Sequence, residues 1–170
     1  MPDPAITIEK YDPNWPTMFE EEQRLLSAVL SPWLKGTIEH VGSTAVPDLK
    51  AKPIIDIMVG VQSLNVSADA IPVLNTNGYC YYPYKKEVMH WFCKPSPEIR
   101  THHLHLVPFG SQLWQERISF RDILRNNPSV REEYAQLKCE LAKRYKKDRE
   151  QYTQKKWPFI QRVLQDAALD

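Results

Sequence analysis

Asp56 is the single carboxylate in an otherwise apolar run from Ile54 to Val61. A run of that length and β-branched content predicts a buried strand. A charge inside it costs several kcal/mol unless it is paired or holds a metal. Upstream, a strand-like run over 37–41 ends in Gly42, Ser43 and Thr44. Gly-Ser after a strand is a compact way to offer backbone N–H groups and a hydroxyl to a phosphate. The same tripeptide is also an ordinary tight turn, in which glycine takes a φ that other residues resist. Asp56 shifts the balance toward chemistry, with a buried ion pair to Lys52 or an arginine as the alternative. Together the two segments predict a site for a metal–nucleotide or another phosphorylated ligand.

A second group of candidates lies in the strand-like run 101–107. His103 and His105 stand at i and i+2, so both rings project from one face. That spacing suits a shared metal, or one ligand and one proton donor. Leu104 and Leu106 take the other face, which predicts that the histidines lie opposite the core. They form a site only if their face also carries Asp56; otherwise they are solvated. His102 falls at the strand start and is assigned no role. His40, beside the Gly-Ser turn, is placed to support the turn or to touch phosphate. Arg121, on a helix, has the fork geometry for phosphate and is equally suited to a surface carboxylate.

These residues need a scaffold, and the composition supplies one of ordinary kind. The chain has 170 residues, 42% apolar and 25% charged, with a net charge of +1. That is one domain with a proper core and no global field to recruit nucleic acid or a membrane. No apolar run reaches the ~18 residues of a membrane span, and the first residues lack the pattern of a secretory signal. Cys80, Cys93 and Cys139 are odd in number and form no C-x-x-C pair, so they read as thiols in a reducing cytoplasm.

Fourteen prolines punctuate the elements. Ile6 to Ile8 is strand-like, and Asn14 can cap a helix over about 16–30. Strands follow at 37–41 and 54–61, the latter with Ile55, Ile57, Val59 and Val61 on one face and Asp56 and Met58 on the other. A short helix at about 69–77 closes at Gly78. Residues 79–84, 88–94 and 101–107 read as strands. Ser111 can cap a helix over 112–125, and Pro128 opens a helical tail that Pro158 must kink or interrupt. The basic second half of that tail, Lys143 to Lys156, reads as a solvated helix face. The order predicts an α+β or mixed α/β domain with helices covering one sheet.

The segments HVGSTAVP, AKPIIDI, HHLHLVP, FRDILR and EYAQLK occur in this order, and with them the chain resembles the GrpB family. The resemblance runs from YDPNWPTMF to the terminal QDAAL. It implies a single domain over 1–170 with a nucleotidyltransferase-like mixed β-sheet covered by helices and a helical C-terminal extension from about 128. In that superfamily a Gly-Ser turn follows the first core strand, an Asp-x-Asp on the next strand holds divalent metals, and a later strand adds a third acid. Gly42 and Ser43 match the turn and Asp56 the first carboxylate. Met58 stands at the second carboxylate position, and His103 and His105 stand where the third acid is expected. Some relatives carry this domain fused to dephospho-CoA kinase.

The resemblance implies transfer of a nucleotidyl group to or from a nucleotide or nucleotide-derived coenzyme. Gly42, Ser43 and Thr44 would hold phosphates, and Lys52, Arg121, Lys138 and His40 would neutralise or touch them. Asp56, His103 and His105 would bind a divalent metal (Mg²⁺, Mn²⁺ or Zn²⁺), with Asp56 and His105 in the catalytic role. Met58 cannot bind a hard cation, which opens a second reading, a non-catalytic binding module. A third reading is a partner-binding protein that uses the basic C-terminal helix.

Overall fold

The computed structural model describes residues 4–169. Helix α1 (Trp15–Val29) precedes strand β1 (Leu34–Val41), a 3-10 turn over Ser43–Ala45, and strand β2 (Ile55–Val61). Helices α2 (Leu64–Ser67) and α3 (Ala70–Thr76) lead to β3 (Cys80–Tyr82), β4 (His90–Pro95) and β5 (Arg100–Pro108). Helices α4 (Gln112–Asn126), α5 (Pro128–Arg144) and α6 (Arg149–Ala168) complete the described chain. The result is an α+β fold around one mixed sheet.

The sheet order is β1-β2-β5-β4-β3. Only β2 and β5 are parallel; the other neighbours are antiparallel. The intervening helices and hairpin bring β5 beside β2, as a parallel pair requires. Both central strands are covered on both faces, which is why they read as near-continuous apolar runs. On one face Ile55, Ile57, Val59, Val61, Leu104 and Leu106 meet α1 and α3 through Leu26, Leu30 and Leu74. On the other, Met58 and Val107 pack with Met89, Trp91 and Trp114.

Several expectations shift. Residues 6–8 form no strand; Glu9 makes a lone bridge to Ala51. The short helix expected at about 69–77 is α3, and a further short helix, α2, precedes it. Asn14 sits at the start of α1, but its side chain makes no capping bond. Ser111 does cap α4, accepting from the Trp114 N–H. Helix α6 runs through Pro158 without interruption; a proline costs a helix one ladder bond, and packing outweighs it here. The three cysteines are free thiols.

Candidate functional site

The parallel register decides the question the sequence left open. Asp56 lies directly beside His103, and Met58 beside His105. Register partners on adjacent strands project the same way, so Asp56, His103 and His105 share one face. That face carries Asp56, the condition set for a site, and it is covered: His103 and His105 are each 4% exposed. Trp91, with its ring 5.0 Å from that of His103, and Met89 enclose them.

Oδ1 of Asp56 is 3.3 Å from Nδ1 of His103 and 3.3 Å from Nε2 of His105. Burial works against the charge of this carboxylate, but the two imidazole hydrogen bonds hold its pKa well below the usual range. Burial also lowers His103, despite the neighbouring Asp56. His105 is pushed down to about 4, by burial first and then by Arg117. Nη1 of Arg117 stands 3.2 Å from Nδ1 of His105. Arg117, on α4, is a member of the site that the sequence reading missed.

Asp56 and His103 open into a cavity of about 100 Å³, lined also by Gly42, Ser43, Thr44, Lys52, Ile54, Tyr134, Lys138, Tyr152 and Lys156. Two helices each contribute a tyrosine and a lysine four residues apart, on one helix face. The Lys138 ammonium lies 5.0 Å from the Tyr134 ring centre, and Lys156 lies 4.6 Å from that of Tyr152. Lys52 approaches the Tyr152 ring from 5.0 Å. Tyr134 is hydrogen-bonded to the Ser43 side chain, which ties α5 to the turn. Lys138 is pushed down to about 7 by burial and by the charge of Lys52. Lys156 falls well below its ordinary value through burial, Lys52 and Lys138. Lys156, taken above as part of a solvated face, instead turns inward with Tyr152. The doubled Tyr-x-x-x-Lys spacing is the signal that could have revealed Tyr134, Tyr152 and Lys156.

The structure thus brings together Gly42, Ser43, Lys52, Asp56, His103 and Lys138, keeps Thr44 in the lining with its hydroxyl already engaged, and leaves three candidates aside. His105 lies behind Asp56, outside the cavity lining. His40 donates to Thr44 Oγ1 at 2.9 Å, while Thr44 donates to the Ile54 carbonyl at 3.1 Å. His40 also stacks on Phe19, and burial lowers its pKa to about 4. His40 and Thr44 therefore fasten the turn to the start of β2 rather than wait for phosphate. Arg121 bonds Glu39 at 2.8 Å, Asp122 at 2.9 Å and the His40 carbonyl at 3.1 Å. Its fork is spent on carboxylates, the alternative noted from the sequence. Arg121→Ala is expected to cost about 2–4 kcal/mol in urea unfolding, since it strands a half-buried Glu39. Phosphate affinity should stay within twofold; a larger loss would return Arg121 to the site.

The three residues expected to hold a metal do meet, but as a hydrogen-bonded set. Arginine only donates and an ionised carboxylate only accepts. Both ring nitrogens of His105 are therefore engaged, Nδ1 by Arg117 and Nε2 by Asp56. Met58 is fully buried in the core and offers no oxygen. Among the described residues, no three His, Cys, Asp or Glu side chains are arranged to hold a metal ion. The donor set, arranged this way, does not fit a resident divalent cation.

Comparison with known proteins places this architecture. The family model described as GrpB protein matches residues 5–166. The chain belongs to the GrpB family. It is 37% identical to the glutamate-rich protein GrpB of Alkalihalophilus pseudofirmus, over 95% of each chain. The crystal structure of the conserved protein GrpB from Enterococcus faecalis superimposes with a TM-score of 0.83 at 34% identity, covering 95% of this chain and 96% of that one. A dephospho-CoA kinase of Mycobacterium bovis is 29% identical over 92% of this chain, which spans 44% of that protein. No helix of this GrpB-family chain, among the described residues, is long and apolar enough to cross a membrane.

Proposed function

We propose that this GrpB-family protein binds the phosphate-bearing part of a nucleotide or nucleotide-derived coenzyme and transfers a nucleotidyl group. One observation carries the reading: Lys52, Lys138 and Lys156, from three separate segments, share a small cavity with the Gly42-Ser43 turn and Asp56. Ammonium groups crowded out of water are costly; Lys138 donates to the Lys50 carbonyl, and an anionic ligand would offset the mutual repulsion of the three charges. A volume of about 100 Å³ is room for about three waters or one phosphate group, so sugar and base would lie at the mouth. The likeness to a dephospho-CoA kinase supports a nucleotide or coenzyme as the bearer of that phosphate.

Asp56 and the lysines supply opposite charges to the lining of one cavity. The lysines take the charge of phosphate oxygens, and the Asp56 side offers acceptors to a hydroxyl. A non-catalytic binding module is the second reading. Met58, buried where the superfamily places its second carboxylate, favours it.

The test is a thermal-shift and calorimetric panel of nucleoside triphosphates, dephospho-coenzyme A and pyrophosphate, each with and without Mg²⁺, Mn²⁺ or Zn²⁺. A true ligand at a hundredfold excess over its Kd should stabilise the fold by about 2.7 kcal/mol. The shift should shrink in Asp56→Asn and Lys52→Met. A flat response across the panel would remove the nucleotide reading. A shift without any product from labelled triphosphate and hydroxyl acceptors would select the binding module.

A further inference from the structure

We infer that His103, rather than His105, is the proton acceptor of this site, held in the neutral Nδ1–H form by Asp56 with a bare Nε2 for an O–H group of the ligand. For the identity of the ligand this rests on the phosphate reading above; the proton positions do not.

The assignment follows from which atoms can donate. Asp56 only accepts, so Nδ1 of His103 and Nε2 of His105, each 3.3 Å from Oδ1, must both carry hydrogens. Arg117 only donates, so Nδ1 of His105 must present its lone pair. Met89 Sδ, 3.4 Å from that nitrogen, is then a packing contact. His105 has no lone pair left for chemistry, and a second proton on it would face the Arg117 guanidinium. It is a positioning residue, holding Asp56 from behind.

His103 differs at one atom. Its Nε2 is buried and has no hydrogen-bond partner, while the residue lines the cavity. A buried acceptor left unmatched costs about 1–3 kcal/mol. Tyr152 lines the same cavity, and its Oη is likewise buried and unpartnered. Two residues that each carry an orphan polar atom line one cavity with three lysines, which fits an oxyanion that also carries an O–H.

In transfer from a nucleoside triphosphate to a hydroxyl acceptor, the acceptor O–H bond breaks and its proton passes to Nε2. The freed oxygen forms the new P–O bond. The P–O bond to pyrophosphate breaks, and its electron pair leaves with the pyrophosphate, whose charge meets the lysines. His103 becomes an imidazolium beside the Asp56 carboxylate, the partner that stabilises it.

Two-bond ¹H–¹⁵N correlation spectra of the ¹⁵N-histidine-labelled full chain at neutral pH test the inference without a variant. His103 should show a protonated Nδ1 and a bare Nε2, and His105 the reverse. Inorganic phosphate, the probe, should then move the His103 Nε2 resonance and leave His105 in place. A protonated Nε2 on His103, or a bare Nε2 on His105, overturns the assignment. So does phosphate that shifts the lysine ammonium signals but not His103. The stated tautomers with no response of histidine or lysine to phosphate would uphold the bare nitrogen and sink the phosphate reading instead.

Discussion

Lys156→Met is expected to stabilise the fold and to weaken phosphate or pyrophosphate binding by tenfold or more. The ammonium sits beside Lys52 and Lys138 with its pKa depressed by burial and by both neighbours. Methionine keeps the length of the side chain and its packing on Tyr152 while removing the unfavourable charge. The melting temperature should rise by roughly 2–4 °C for each kcal/mol recovered. A hydrogen bond to a charged group contributes about 1.5–3 kcal/mol, hence the loss in affinity. Opposite changes in stability and binding mark a group kept for function. Unchanged affinity would take Lys156 out of the site.

The same charges set a pH dependence. Lys138 loses its proton near pH 7 in the folded protein, against an ordinary value of 10.5. Between those values the unfolded chain holds more protons, so the stability of the free protein should rise with pH. A bound anion raises the Lys138 pKa. Binding above pH 7 therefore takes up a proton, and affinity falls as pH rises. Calorimetry in buffers of different ionisation heat reads the uptake directly.

Gly42→Ala is expected to be the most damaging small substitution near the site. Gly42 has φ +73, and a Cβ there would lie 2.6 Å from Oδ2 of Asp56. The backbone alone costs about 1–3 kcal/mol for a non-glycine residue. The collision cannot be relieved cheaply, because Asp56 is pinned from its other oxygen by His103 and His105. Either the turn opens or the carboxylate leaves the histidines. Urea unfolding should show a loss of at least 2 kcal/mol, about the sum of strain and overpacking. The histidine spectra should change even where the fold survives. Gly78→Ala is the control: its φ is +89 with nothing within 4 Å of the added methyl, so it reports backbone strain alone. Equal losses in the two variants would mean that Gly42 does not bear on Asp56.

Much of this architecture was legible because the signals are local. The two-residue alternation of Ile55, Ile57, Val59 and Val61 requires only that one face be buried. Ser111 and Pro128 mark the starts of α4 and α5, and the end of α4 falls within a residue of the expected one; the break between α5 and α6 carried no such signal. The isolation of Asp56 in an apolar run marked it before any geometry was known. Arg121 shows the limit: its fork suits phosphate or carboxylate equally, and only Glu39, far away in sequence, decides between them.

What the sequence determined by itself was the inventory: a buried carboxylate on a central strand, a glycine turn beside it, two alternating histidines and a mixed α+β scaffold. The tertiary structure decided the roles. Parallel pairing of β2 with β5 set Asp56 against His103. The packing of α4 brought Arg117 to His105 and so divided two like histidines into one with both ring nitrogens engaged and one with an unpartnered Nε2. The packing of α5 and α6 turned Lys138 and Lys156 inward. A proton's position and a lysine's charge depend on the nearest neighbours, and these come from other segments: His105 reaches Asp56 across 49 residues and Arg117 across 12. Periodicity reaches one helix turn or one strand pair, so it reports which face a residue takes and is silent on what waits there.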